Sequence, residues 1–188
     1  MVNSSLAAIR RQKKVLIRMN EELCYEADRF RVVRITPPDS MGLPSKEVIR
    51  HPGAVVMIPV IDEERLCLIR NFRLSVNQTL VELPAGTCQP GEEPLKTAQR
   101  ELLEETGYLA TEWRCLGQLW MSPGILDEKM YVYEARQLTQ GQQQLEVDER
   151  IETTELTWRE AEAHIVSGAI NDAKTIAALS LWKLQAEP

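Results

Sequence analysis

Two kinds of apolar pattern alternate along the chain, and the places where one gives way to the other mark its elements. Residues 29–36 (RFRVVRIT) alternate apolar and polar positions as a half-buried strand does, 37–45 (PPDSMGLPS) carry turn residues, and 47–50 resume the strand pattern. They predict a small antiparallel β-unit ahead of the main domain. Residues 6–24 fit either a helix or a strand with flanks. From Gly53 the apolar run becomes continuous. AVVMIPVI and RLCLIRNF, joined by a turn at 62–64, read as two strands buried on both faces. Further strands are expected over 113–121, 129–136 and 151–157. Thr157 with Glu160 makes a capping box that opens a helix to about Val166, and Asn171 or Asp172 can cap a last helix reaching Leu184. This mixed order predicts an α/β layer arrangement.

The 188 residues suffice for one domain plus a smaller appendage, since domains typically run to about 100–150 residues. The expected division is an N-terminal β-unit over 1–50 and a main domain over 51–188. A hydrophobic content of 44% and a charged content of 27% are ordinary for a globular protein. The net charge of −6 argues against nucleic acid as a partner, which calls for clustered cations. The one basic run, Arg10, Arg11, Lys13 and Lys14, reads as a solvated surface. Cys24, Cys67, Cys88 and Cys115 are scattered and show no metal-site spacing, as expected for reduced thiols in the cytoplasm. No stretch approaches the roughly 18 apolar residues of a membrane span, and no signal segment opens the chain. Neither a membrane nor an export route is expected.

Chemistry concentrates in residues 86–108, GTCQPGEEPLKTAQRELLEETGY. Pro94 suits the first turn of a helix, Gly107 suits its end, and the pair Glu92 and Glu93 complements the positive end of its dipole. Within such a helix Glu101, Glu104 and Glu105 share one face, because separations of three and four residues bring side chains to about 5–6 Å. Leu95, Ala98 and Leu102 fall on a neighbouring face that can dock on a core. Like charges so placed destabilise a helix by roughly 0.2–0.5 kcal/mol per pair, so something must offset them. A hard divalent cation does so. Oxygen-only ligands point to Mg2+, or Mn2+, rather than zinc, while Arg100 can pin one carboxylate. Cys88 stands at a variable position of the stretch and is not expected to be a catalytic thiol. A glutamate run is ordinarily just a solvated face.

Here, however, Gly86, Glu92, Arg100, Glu101, Leu102, Glu104, Glu105, Gly107 and Tyr108 fill every fixed position of G-x5-E-x7-R-E-U-x-E-E-x-G-U, where U is bulky and apolar. The stretch thus resembles the box of the Nudix hydrolases. The likeness extends over roughly 28–184 and, through HPGAVVMIPV, LIRNFR, VELPAG, MSPGILDE and INDAKTIAAL, is similar to the ADP-ribose pyrophosphatase branch. Pro123, sixteen residues beyond Gly107, is associated with that branch. The resemblance implies a Nudix-type α/β/α sandwich with a mixed sheet, preceded by the small antiparallel β-unit, which in this branch commonly helps to form a homodimer.

It also implies Mg2+-dependent hydrolysis of a nucleoside diphosphate sugar at its diphosphate linkage, with ADP-ribose giving AMP and ribose 5-phosphate. Another nucleotide sugar such as GDP-mannose, or a catalytically silent nucleotide-sensing module, are the alternatives. Carried over by position, the metal ligands would be Glu101, Glu105, Glu149 and the Ala85 carbonyl, with Glu104 close by. Arg73 and Glu82 would line the substrate cleft, Arg73 reaching diphosphate oxygens, with Arg70 and Pro123 as further substrate-binding candidates. Relatives place the base two positions before the Glu149 equivalent, where this chain has Val147. Glu146 and Glu128 are the nearby substitutes, with Glu101 or Glu104 acting on the attacking water as the other choice.

Overall fold

The computed structural model of the protein describes residues 17–145 and 150–186. Its central strand is β4 (Ala54–Pro59), the continuous apolar run, with all six residues buried. Three preceding strands, β1 (Asn20–Glu26), β2 (Arg31–Thr36) and β3 (Lys46–Arg50), form an antiparallel sheet of their own in sequence order. This is the small unit that the alternation predicts. In the ambiguous segment, residues 20–24 belong to β1, and 1–16 lie outside the described residues.

β4 pairs antiparallel with β7 (Ala85–Thr87) and parallel with β9 (Lys129–Gln140), and β9 pairs antiparallel with β8 (Tyr108–Trp120), giving the mixed order β7-β4-β9-β8. A second, antiparallel sheet has the order β10-β5-β6, from β5 (Arg65–Arg73), β6 (Gln78–Glu82) and β10 (Ile151–Thr157). The expected β4 and β5 both form, but they meet only at a bridge between Val60 and Leu66. The reason is that both edges of β4 are already filled, by β7 and β9, so β5 must pair elsewhere. The turn between them is held by Asp62, whose Oδ1 accepts from the backbone N–H groups of Glu64 and Arg65.

Successive side chains of a strand face opposite ways, and β4 shows what that achieves. Val55 and Met57 pack with Ala98 and Leu102 of α1 (Pro94–Thr106). Ala54, Val56 and Ile58 pack with Ala161 of α2 (Trp158–Ser167), with Ala178 and Leu179 of α3 (Ala173–Ala186), and with Ile170. Helices therefore cover both faces, the α/β/α sandwich that the resemblance implies. Burying side chains such as these contributes about 1.5–3 kcal/mol each before entropy is counted. The capping box at Thr157 is complete: Glu160 N–H donates to Thr157 Oγ1 (3.2 Å) and Thr157 N–H to Glu160 Oε2 (2.8 Å). Asp172 caps α3 by accepting from Thr175 N–H at 2.9 Å.

The N-terminal sheet is joined to the main body along β3. Ile49 bridges Leu126 in parallel, Ile49 N–H donates to Ile125 O (2.8 Å), and Asp127 N–H donates to Ile49 O (3.0 Å). Among the described residues, no helix is long and apolar enough to cross a membrane.

Candidate active site

Helix α1 starts at Pro94 and stops at Gly107, whose φ of 75° is costly for residues with a Cβ and whose N–H closes on Leu103 O at 2.8 Å. With Ala98 and Leu102 pressed into the core, Glu101 and Glu105 are drawn inward too, at 9% and 2% exposure. They meet β7, where Glu105 Oε2 accepts from Ala85 N–H at 2.8 Å. Gly86 answers Glu101: a Cβ built there would lie 1.8 Å from Glu101 Cδ. The first box residue is glycine because the carboxylate occupies the space of a side chain.

Arg100 organises the acids more fully than the expected single contact. Its Nη1 donates to Glu101 Oε1 and Glu104 Oε2, both at 2.8 Å, and its Nε and Nη2 donate to the two oxygens of Glu92 at 3.2 Å. These bonds hold Glu92 down at about 2. Burial works against the Arg100 charge, but the three carboxylates outweigh it and raise the guanidinium above its ordinary range. The acids are thus gathered around Arg100. Among the described residues, no three His, Cys, Asp or Glu side chains are grouped as a metal site.

Facing them is Arg73, whose Nε and Nη2 donate to Glu82 Oε1 (2.9 Å) and Oε2 (2.5 Å) and whose charge is stabilised by that fork. Glu82 itself is fully buried beneath Arg73 and also accepts from Lys174 Nζ at 2.5 Å. Arg73, Ala85, Gly86, Arg100, Glu101 and Glu105 all line one cleft of about 680 Å³. Glu104 adjoins it through Arg100 and, like Glu82, is not among its lining residues. Pro123 and Glu128 lie in and at the end of the exposed connection between β8 and β9, outside the lining. Arg70 lines a separate depression with Thr79 and Glu152. Glu146 and Glu149, with Val147, lie outside the described residues.

The cleft has a wall that the sequence reading did not assign: residues 26–31 at the β1–β2 turn, with Arg50, His51 and Asp127. Asp127 ties them together, accepting from Arg50 Nη1 and from His51 N–H, each at 2.8 Å. The signals in the sequence were position, since Arg50 and His51 stand just ahead of the apolar run of β4, and the stretches HPGAVVMIPV and MSPGILDE, which hold His51 and Asp127. In all, five arginines (Arg29, Arg31, Arg50, Arg73, Arg100) and five carboxylates (Glu26, Asp28, Glu101, Glu105, Asp127) line the cleft. Cys88 is also present there, with its thiol pushed up by burial and so away from a reactive thiolate.

The family model of the NUDIX domain matches residues 50–179. The chain belongs to the Nudix family. It is 38% identical over 142 residues to an ADP-ribose pyrophosphatase of Bacillus subtilis (strain 168), covering 74% of this chain and 77% of that one. It is 36% identical over 162 residues to a methanol dehydrogenase activator of Bacillus methanolicus, covering 82% and 87%. A crystal structure of an ADP compounds hydrolase superimposes with a TM-score of 0.75 over 92% of this chain and 96% of that one, at 23% identity, a likeness of fold. Nudix hydrolases generally use divalent metal ions.

Proposed function

We propose that this Nudix protein hydrolyses the diphosphate linkage of nucleoside diphosphate sugars, ADP-ribose foremost, with Mg2+ as cofactor and Mn2+ as a substitute. The observation that carries the reading is the meeting of two buried carboxylates, Glu101 and Glu105, with Arg73 in one cleft. Arg100 supplies part of the compensating charge that two buried carboxylates call for, and a bound cation would add to it. Their oxygen-only chemistry fits a hard cation, and Gly86 makes the room that lets Glu101 reach the β7 backbone. The assigned ligands are Glu101, Glu105 and the Ala85 carbonyl, with Glu149 as a fourth. When bound there, the cation would neutralise phosphate oxygens and acidify the attacking water.

The chain's own residues do the rest. Arg73 presents a charge already oriented by Glu82, and an oriented guanidinium binds phosphate oxygens without the ordering cost of a free one. Arg100 holds Glu101 and Glu104 together and aligned on one guanidinium nitrogen. Glu104, one side chain from Glu101 across Arg100, is assigned as the base, with Glu146 and Glu128 as the other candidates. Water adds to one phosphorus while the bond from that phosphorus to the bridging oxygen breaks, so ADP-ribose yields AMP and ribose 5-phosphate. Because the chain carries a charge of −6, its overall field repels such a substrate. In the cleft five arginines balance five carboxylates, and a bound cation would tip that local balance positive.

A panel of nucleoside diphosphate sugars, GDP-mannose included, assayed with Mg2+ and with a chelator, tests this. Turnover of ADP-ribose with highest kcat/KM, lost on chelation, is expected. Glu105→Gln should lower turnover at least about 100-fold, beyond the loss typical of residues that only support a ligand, with thermal unfolding little changed. Near-native activity in that variant removes Glu105 from the site. A second reading, a silent nucleotide-binding module, is favoured by Val147 at the usual base position, and saturable binding without products would select it.

The protein is also proposed to act in the cytoplasm and as a homodimer through its N-terminal sheet. Every residue of β1 is exposed, including Leu23 and Tyr25.

A further inference from the structure

We infer that Lys174 is a positioning residue for the hydrolysis, acting through Glu82 to set the orientation of Arg73. The inference rests on the reading of the cleft given above. It begins from an arrangement that burial alone does not explain. Glu82 has no exposed surface, yet it receives two cations: the Nε and Nη2 fork of Arg73 from one side and Lys174 Nζ, at 2.5 Å, from the other. Replacing buried ion pairs by packed apolar groups is often neutral or stabilising, so stability is a weak reason for placing three charges here.

Geometry separates their parts. The Lys174 side chain is 11% exposed and lines no part of the cleft, whereas Arg73 is 37% exposed and does. Glu82 takes Nε and Nη2 of Arg73, which leaves Nη1 outside the fork. A guanidinium is planar, so fixing two of its nitrogens fixes the direction of the third.

Lys174 is in turn held rigidly at the first turn of α3. Asp172 Oδ2 accepts from Lys174 Nζ (3.0 Å), Thr175 N–H (2.9 Å) and Thr175 Oγ1 (2.6 Å), and Thr175 Oγ1 accepts from Leu83 N–H (2.9 Å). The start of the C-terminal helix is therefore bolted to the residue that follows Glu82. With Lys174 in place, Glu82 Oε2 is shared between two donors and its carboxylate plane is set from behind. Without it, the carboxylate is free to rotate with Arg73.

The test is a double-mutant cycle with ADP-ribose and Mg2+ in the full chain: Lys174→Met, Arg73→Ala and both together. Lys174→Met is expected to lower kcat/KM by about 10- to 100-fold, the range for residues that orient another group, chiefly through kcat. In the Arg73→Ala background the same change should cost less than about 2-fold, because its route is gone. Equal losses in the two backgrounds overturn the inference, as a role in stability alone would give them. Nuclear magnetic resonance of the Arg73 Nε–H provides a readout independent of turnover. That proton should be slowly exchanging in the parent and exchange at least about 10-fold faster in Lys174→Met; unchanged exchange also overturns the inference. If Lys174→Met does not fold, Lys174→Gln is read in the same two ways. Absence of any turnover in the parent would sink the proposed function, while the exchange measurement would still decide the role of Lys174.

Discussion

Gly86 shows how a single atom is excluded to make a site. The Glu101 carboxyl group lies where an alanine methyl would stand, with Cδ, Oε1 and Cγ all within 2.3 Å of that point. Glu101 is buried and tied to Arg100, so it cannot simply swing away at no cost. Gly86→Ala should therefore displace the carboxylate and lower turnover by about 10- to 100-fold. Its stability cost should stay within about 1–3 kcal/mol, as for other small overpacking changes. Kinetics and thermal unfolding of the one variant check both numbers. Native kinetics would mean that the position of Glu101 does not matter to the reaction. The same contact illustrates a limit of reading residues in order: the box makes Gly86 and Glu101 fixed positions, but only the packing of α1 on β7 brings them to the same spot.

At the level of elements, local chemistry decides ends and tertiary pairing decides neighbours. Pro94 and Gly107 bound α1 where their backbone preferences place them, and Thr157 opens α2 with both bonds of its capping box. Thr157→Ala removes one orphan-donor partner and should cost about 1 kcal/mol, seen as a fall of about 2–4 °C in melting temperature for a chain of this size. Because α2 covers the face of β4 opposite α1, turnover at a temperature well below the transition should be unchanged. A kinetic loss comparable to that of Gly86→Ala would show that the two faces are coupled. By contrast, nothing local told β4 and β5 to part. Their runs were legible, but which edge each would take depended on β7 and β9, the first very short and the second legible at 129–136 but distant in the chain. The three-residue β7 is too brief to register as a periodicity at all.

For the molecule as a whole, the N-terminal sheet is the least self-sufficient part. In it only Val33 among the hydrophobic residues is buried, while Leu23 and Tyr25 are 55% and 58% exposed on the edge strand β1. Two large apolar side chains left open on an edge strand mark a contact surface, and a second copy is the proposed cover. Replacing Leu23 and Tyr25 together by glutamate should convert a dimer to a monomer in light scattering, with a folded main domain by circular dichroism. Since residues 26–31 of the same sheet wall the cleft, KM should rise by several-fold, as expected when a wall loses its support. A monomeric parent protein would remove the proposal. The sequence by itself determined what depends on neighbours along the chain: the box, the limits of α1 and α2, the buried runs and the oxygen character of the site. Only the tertiary structure decided what depends on segments far apart meeting: the burial of Glu82 between Arg73 and Lys174, the latch of Asp127 on Arg50 and His51, and the wall supplied by the β1–β2 turn. The physical reason is range, since backbone preference and side-chain periodicity act over a few residues, whereas charges and packed surfaces join whatever the completed fold brings within a few ångströms.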